Sequence, residues 1–360
     1  MTEDELHRLC ASIRPLGAEW LDRAQRRLDS LTKPPGSLGR LEALARQYVA
    51  IKREVPPRVR GKAIVTFAAD HGVTAEGVSA YPRDVTAQMV ANFLKGGAAI
   101  NVMARQAGAR VIVVDLGVDA ELGAREGLVV RKIARGTANL ARGPAMTRAQ
   151  AVEAVAVGFA LGAEAARDGA DLIGTGDMGI GNTTPSSAVA AALTGRPVPE
   201  VTGRGTGVDE PTWCRKVAAI EAGLAVNRPD RRDPLDVLAK VGGFEIGGIA
   251  GLILGGAVGG ALVVVDGFIS TAGAAIAVGL RPAVREHLVV SHRSAEAGHT
   301  ALLEWIGIEP ILDLDMRLGE GTGAALAMPI IETAVRLLSE MATFEEAGVS
   351  NREEERVIRE

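Results

Sequence analysis

Asp171-Leu-Ile-Gly-Thr-Gly-Asp-Met-Gly-Ile-Gly-Asn-Thr-Thr-Pro185 decides how this chain is read. Asp171–Ile173 is a short apolar run with strand character. The polar, glycine-rich segment Gly174–Thr184 follows it, and Pro185–Leu193 continues with helical composition. A strand that passes through a glycine turn into a helix is half of a β-α-β unit. Glycines ahead of a helix N-terminus also make an anion site, because bare N–H groups and the positive dipole end face the turn.

The same alternation extends in both directions. Apolar runs bounded by turn residues occur at Ala63–Ala68, Arg110–Leu116, Ala261–Val265 and His287–Val290. Between them lie amphipathic or Ala-rich stretches: Val85–Ala107, Thr147–Arg167, Pro211–Val226 and Ser270–Val278. Short apolar strands alternating with helices predict parallel β-α-β units in an open α/β sheet. Ligands bind such sheets at the carboxyl ends of the strands. The polar segments Asp70-His71-Gly72, Gly174–Thr184, Asp266-Gly267 and Ser291-His292 are placed there. Residues 1–60 read differently. Trp20–Leu31 has helical spacing, Lys33-Pro-Pro-Gly36 breaks it, and Ser37 is placed to cap a second helix through Lys52. A long last helix, from Ala324 to Met341, is expected to return to these helices, and the charged tail Asn351–Arg356 to fray.

Bulk properties exclude several classes. A chain of 360 residues has ample core for one large or two modest domains. A net charge of −4 leaves no electrostatic footprint for nucleic acid or an anionic membrane. Aromatics make up only 3%, too few for base-stacking platforms. Cys10 and Cys214 are far apart and have no metal-ligand spacing, which fits a reduced cytoplasm; Cys214, beside Trp213, reads as a core or near-core thiol. The acidic N-terminus lacks the apolar stretch of a signal peptide. Ile246–Val265 is uncharged and long enough to imitate a membrane span. Gly247, Gly251, Gly255 and Gly259 recur every four residues in it, a close-packing ridge, and Gly259-Gly260 then breaks the helix. The reading is a buried helix followed by a strand, with the ridge facing another helix or a second subunit.

Arg317-Leu-Gly-Glu-Gly-Thr-Gly-Ala324 sets the carboxylate of Glu320 between glycines, after the β-like run Pro310–Met316. Glycines at such a corner let the backbone approach a ligand, and a carboxylate there can act as a base. Gly174–Gly179 matches GxGxxG, but a dinucleotide site would also need an acidic residue closing a second strand. Glu200, near that distance, follows Pro197 and Pro199 in no strand pattern. Gly203-Arg-Gly-Thr-Gly207 precedes a helix carrying Lys216, an arrangement that suits a phosphate. Asp70 and His71 are adjacent on an extended strand, so they point to opposite faces and do not share a metal ion. His292 and His299 lie seven apart with no further ligand at metal spacing, and no metal site is read.

Taken together, several segments are similar to one family. They are Lys33–Glu42, Ala69–Val73, Val85–Met89, Gly176–Thr184, Val241–Phe244, Asp266–Ser270 and Met316–Pro329, in order along nearly the whole chain. The chain resembles the nicotinate-nucleotide–dimethylbenzimidazole phosphoribosyltransferases, which make the lower-ligand nucleotide of cobalamin. The resemblance implies a Rossmann-like α/β domain over residues 61–329 and a small helical domain from 1–60 plus 330–360. It also implies a cytoplasmic homodimer with no metal and no bound cofactor. It places the catalytic base at Glu320 and benzimidazole contacts at Tyr81, Gln88, Met89 and Leu318. The mononucleotide would lie on Gly176, Asp177, Met178, Gly179, Gly181, Asn182 and Thr183. It would also reach Gly203, Gly205, Lys216, Gly267 and Ser291. At Asp177 the family more often has Glu, so the shorter side chain is expected to hold the loop. Two other classes remain open at this point: an NAD-dependent oxidoreductase and a non-catalytic nucleotide- or corrinoid-binding module. Release of nicotinate from nicotinate mononucleotide in the presence of 5,6-dimethylbenzimidazole separates all three.

Overall fold

The structure is a computed structural model that describes residues 1–205 and 207–351. The expected fraying of Asn351–Arg356 therefore falls almost wholly outside the described residues. Six strands form the main sheet: β1 Lys62–Ala69, β2 Arg110–Gly117, β3 Leu128–Val130, β4 Leu172–Met178, β5 Leu262–Val265 and β6 Leu288–Val290. Every neighbouring pair is parallel, in the order β3-β2-β1-β4-β5-β6. β1 and β4 are buried along almost their whole length, as expected for a parallel sheet covered on both faces. The chain leaves β1 toward β2 and β3, then crosses back to β4 and continues to β5 and β6. Connections leave β1 and β4 in opposite directions, which opens a crevice at their carboxyl ends. β7 His292–Arg293 and β8 Leu312–Asp313 form a separate two-residue parallel pair, so the run Pro310–Met316 contributes less strand than its composition predicts.

Three elements differ from their sequence reading in ways that bear on the cleft. β4 runs through Gly174, Thr175, Gly176, Asp177 and Met178 instead of stopping at Ile173. Gly174 and Gly176 are thus strand glycines, and such glycines mark a close approach by another segment. A Cβ on Gly174 would lie 3.0 Å from Ala324 Cβ and from Met328 Cε. A Cβ on Gly176 would meet the backbone of Glu320, 2.7 Å from its carbonyl carbon. Secondly, Val85–Ala107 is two helices, Asp84–Leu94 and Ala99–Ala107, separated at Gly96 with φ +78° and Gly97. The break creates a second helix N-terminus. Thirdly, Ser37 caps nothing. The helix Arg40–Lys52 begins after Gly39 at φ 55°, and the Glu42 carboxylate accepts from Leu38 N at 3.1 Å.

By contacts the chain divides into residues 1–15 with 60–329, and residues 16–59 with 330–360. Residues 1–15 thus group with the larger unit: Leu6, Cys10 and Ile13 belong to its main apolar core. Within the smaller unit, Arg27 donates to the carbonyls of Leu338 (3.4 Å) and Met341 (3.3 Å), and Leu31 bridges Thr343.

The glycine ridge packs inside the larger unit. Helix Phe244–Val258 lies against helix Arg148–Arg167 along Gly247, Gly251 and Gly255, facing Ala154, Val155 and Phe159. The approach is mutual, because Gly158 and Gly162 meet the backbone at Gly248 and Leu252. Ile246–Val265 is broken after Val258 and turns at Gly259-Gly260 into β5, so it is no span. Among the described residues, Arg148–Arg167 has the length and hydropathy of a span, but one face is occupied by this helix pair.

Candidate active site

A cleft of about 580 Å³ opens over the carboxyl ends of β1 and β4. Tyr81, Val85, Met89, Met178, Ile180, Ile269 and Leu318 give it apolar walls. Asp177, Gly179, Asn182, Thr183, Gly205, Arg317 and Glu320 supply its polar surface. Ten residues singled out from the sequence thus share one cavity: Tyr81, Met89, Asp177, Met178, Gly179, Asn182, Thr183, Gly205, Leu318 and Glu320. Tyr81 at 54% exposure and Leu318 at 57% lie at its open mouth. Such a slot, flat-walled and apolar with a few convergent polar groups, suits a bicyclic aromatic ligand. Gln88 is not in it. It lines a different cavity with Asp70, Arg83, Asp84 and Asp119. Val85 and Met89, four apart on a helix, share a face, and Gln88 is turned about a quarter-circle away.

Glu320 lies in the turn before helix Thr322–Glu340. It has φ 64°, a left-handed conformation that costs a non-glycine residue roughly 1–2 kcal/mol. The surroundings hold it there. Its N–H donates to Asp177 O at 3.1 Å, and its carbonyl accepts from Thr66 Oγ1 at 2.8 Å. The next turn is fixed from β5: Asp266 accepts from Gly321 N at 2.9 Å, Gly323 N at 2.7 Å and Ala324 N at 3.3 Å. Asp266 therefore caps the helix that follows Glu320 from across the sheet. The sequence places Asp266 at a strand end and shows no task for it, because its partners lie 55 to 58 residues away.

The Glu320 side chain reaches toward the helix N-terminus that the Gly96-Gly97 break creates. Its Oε2 accepts from Ile100 N at 3.2 Å. Burial raises its pKa above the usual carboxylate value, and the Ile100 N–H opposes that rise. A carboxylate that is buried, reaches a cleft and has one oxygen on a helix N-terminus has the chemistry of a general base. Asp177 is more strongly perturbed. Burial is the main cause, followed by the charges of Asp266, Glu245 and Glu320, and its pKa lies well above the ordinary range. Asn182 Nδ2 donates to Asp177 Oδ2 at 2.9 Å, which ties the two ends of the glycine loop together. Asp266 is pushed up to about 7 by burial, against the pull of the backbone N–H groups it accepts.

The two other glycine segments meet at Lys216. Its Nζ donates to Thr183 Oγ1 at 2.8 Å and to Gly203 O at 3.1 Å. Burial lowers its pKa to about 8, with Glu296 opposing. Thr183 opens the helix Thr183–Thr194, so a cation, a helix N-terminus and a glycine loop converge on one spot. Gly205 has φ +54°, and a Cβ there would lie 2.8 Å from Thr183 Oγ1 and 3.3 Å from Lys216 Nζ. Arg317 adds a second cation: its Nη1 donates to Gly205 O at 2.7 Å. In the sequence, Arg317 stands out only as part of the Glu320 stretch.

Gly176 lies beneath Glu320, and Gly181, at φ +86°, turns the loop against Thr74. Gly203, Gly267 and Ser291 do not line the cavity. Gly267 precedes the helix Phe268–Leu280 and faces His292; Ser291 Oγ donates to Asp266 O at 3.2 Å. His292 and His299 have their rings 6.4 Å apart, and His299 is held by Thr271 and Ser294 N. His71 faces Glu245, Nε2 to Oε1 at 3.0 Å, both buried beneath the Gly179 loop. Among the described residues no group of three or more His, Cys, Asp or Glu is placed to hold a metal ion. Cys214 is exposed, not a core thiol: its helix buries Lys216, Ile220 and Gly223 on the other face.

A phosphoribosyltransferase family model matches residues 13–349. A nicotinate-nucleotide–dimethylbenzimidazole phosphoribosyltransferase from Geobacter sulfurreducens is 62% identical over 340 residues, 94% of this chain and 97% of that protein. One of the same name from Roseiflexus sp. (strain RS-1) is 57% identical over 344 residues, 96% and 98% of the two chains. The crystal structure of an enzyme of this name from Thermus thermophilus has a TM-score of 0.87 at 49% identity, covering 94% of this chain and 100% of its own. A second, of CobT from the same organism, has a TM-score of 0.89 at 51% identity, covering 93% and 100%.

Proposed function

Because this chain belongs to the nicotinate-nucleotide–dimethylbenzimidazole phosphoribosyltransferase family, we propose that its cleft over β1 and β4 carries out that transfer with Glu320 as general base. The substrates are nicotinate mononucleotide and 5,6-dimethylbenzimidazole. The products are nicotinate and α-ribazole 5′-phosphate, the nucleotide used in cobalamin assembly. The dinucleotide alternative loses its basis, because Gly174 and Gly176 are spent on packing under Ala324 and Glu320.

The chemistry asks little of the leaving group. The pyridinium nitrogen of the nucleotide departs with the bonding pair as neutral nitrogen, so no acid is needed. The incoming azole attacks C1′ through its unprotonated nitrogen, and the proton on its other nitrogen must go to a base. Glu320 takes it. Displacement in line inverts the anomeric carbon and gives the α product. Tyr81, Val85, Met89 and Leu318 are assigned to the flat azole. The phosphate is assigned to Lys216, the Gly203–Gly205 segment and the N-terminus of helix Thr183–Thr194. Asp177 is assigned to holding the glycine loop through Asn182.

What carries this reading is the Glu320 carboxylate itself: buried, in the cleft, with one oxygen on Ile100 N. Glu320→Gln keeps the shape and can keep the Ile100 contact while removing the base. Turnover should fall roughly 100-fold or more, with Kd for the mononucleotide little changed. Near-normal turnover would remove the base role. A cytoplasmic homodimer completes the proposal; it is supported by the family resemblance alone, and light scattering on the purified chain reads the dimer.

A further inference from the structure

Besides the Thr66 bond to Glu320 O, the turn that carries Glu320 is held at three places, and one of them reaches the Gly203–Gly205 segment. Gly319 and Glu320 close onto Asp177: a Cβ on Gly319 would lie 2.9 Å from Asp177 Oδ2, and Glu320 N donates to Asp177 O. Gly321 and Gly323 are held by Asp266. Both anchors are buried protein groups. The third is Arg317, three residues before Glu320, whose Nη1 donates to Gly205 O at 2.7 Å.

Gly205 is packed against Lys216 and Thr183 from its other side. Whatever anion settles on that segment therefore fixes the carbonyl that Arg317 holds. Among the cleft-lining residues Arg317 is the one cation, and it is an exposed residue. A guanidinium can hold a carbonyl and an anion at once, because its donors form a rigid planar fork.

We infer that Arg317 is a positioning residue: it couples the phosphate of the bound mononucleotide to the turn that carries Glu320, so that a seated phosphate adds a further hold on that turn. This rests on the reading of Glu320 as base and of the Gly203–Gly205 segment as the phosphate site. It is a case of binding energy from a non-reacting part of the substrate being used at the reacting centre. The φ of 64° at Glu320 persists only while its surroundings impose it, and Arg317 is one of those surroundings.

The test is a double-mutant cycle with nicotinate mononucleotide and 5,6-dimethylbenzimidazole, both saturating, on the full chain. Arg317→Leu should lower kcat roughly 10- to 100-fold, the scale on which about 1 Å of misplacement acts. In a Glu320→Gln background the same change should lower kcat by less than about 3-fold, because the group it positions is already gone. Arg317→Lys keeps a cation but not the fork. It should leave KM for the mononucleotide near the parent value while kcat falls. Losses that multiply across the cycle would overturn the inference. So would an Arg317→Leu enzyme with raised KM and unchanged kcat, which would make Arg317 a phosphate ligand only. Should Arg317→Leu fold poorly by its melting curve, the lysine variant carries the same decision: kcat equal to the parent's overturns the coupling. If Glu320→Gln by itself leaves kcat unchanged, the base assignment has failed and this inference with it. If Glu320→Gln is impaired and the losses multiply, the coupling alone has failed.

Discussion

Gly251→Ala is the sharpest test of how the larger unit is built. The added methyl would be driven into the Val155 carbonyl oxygen and would lie 2.6 Å from Phe159 N and 2.8 Å from Val155 C. All three are backbone atoms of a regular helix, so no side chain can swing aside. The two helices must part, and Gly247, Gly255, Gly158 and Gly162 lose their close contact with them. Overpacking of this kind costs about 1–3 kcal/mol, and rigid neighbours put the site at the upper end. Alanine recovers about 1 kcal/mol of helix propensity. The net is a loss of about 2 kcal/mol, or roughly 3 °C in Tm for a domain of this size. Gly256→Ala on the same helix is the control. Its methyl would face Val263 Cγ2 at 2.9 Å and Ile173 Cδ1 at 3.4 Å, side-chain atoms that can yield. That change should stay within about 1 kcal/mol of neutral. Thermal and urea unfolding of the two variants, followed by circular dichroism, makes the comparison. Equal shifts, or an unchanged Tm for Gly251→Ala, would refute the packing argument.

Two further outcomes follow from the cleft. Met89→Ala should raise KM for the azole several-fold, the scale of about 1–3 kcal/mol for burying an apolar group. Gln88→Ala should leave it within about 2-fold, since Gln88 lines another cavity; steady-state kinetics with varied 5,6-dimethylbenzimidazole reads both, and a larger effect at Gln88 would reverse the assignment. Lys216, with its pKa lowered by burial to about 8, is charged below that pH and loses its proton above it. Therefore kcat/KM for the mononucleotide should fall as pH rises through about 8, and Lys216→Ala should be weak throughout and lack that limb; a limb that survives the substitution belongs to another group.

What was legible in the sequence is what depends on local pattern. The strands β1, β2, β5 and β6 fall on their apolar runs, because a buried parallel strand writes itself as a short uninterrupted hydrophobic stretch. The glycine ridge was legible too, since a repeat of four residues marks one helix face whichever partner it meets. The failures are tertiary. Gly174 and Gly176 read as a nucleotide turn because nothing nearby shows that Ala324, Met328 and Glu320 need the space. Asp266 had no visible task, its partners being Gly321, Gly323 and Ala324. The hydrogen bond from Ile100 to Glu320 spans 220 residues. Other misses had a local signal. Gly96-Gly97 announces the break within Val85–Ala107, whereas helical spacing puts both Gln88 and Met89 near Val85 and only the cavities separate them. The same spacing sets Cys214 opposite Lys216, Ile220 and Gly223.

The buried carboxyls around Glu320 also bear on which of them can serve as the proposed base. Asp177, Glu245, Asp266 and Glu320 are all buried, and the charges of the other three oppose ionisation of Asp177. Such a cluster carries fewer charges than it has carboxyls. Asp177 is raised well above its ordinary range, with three acidic neighbours set against a single opposing donor, Asn182. Glu245 faces His71, and Asp266 is committed to the backbone N–H groups of the turn. Glu320 is raised by burial but is eased by a helix N-terminus at Ile100. It lines the cleft, with one oxygen accepting from Ile100 N. An ionised base is needed next to the azole N–H, and a positive charge grows on the ribose as nicotinate departs. On the proposed reading Glu320 meets both needs, and Asp177, which accepts from Asn182, holds the loop.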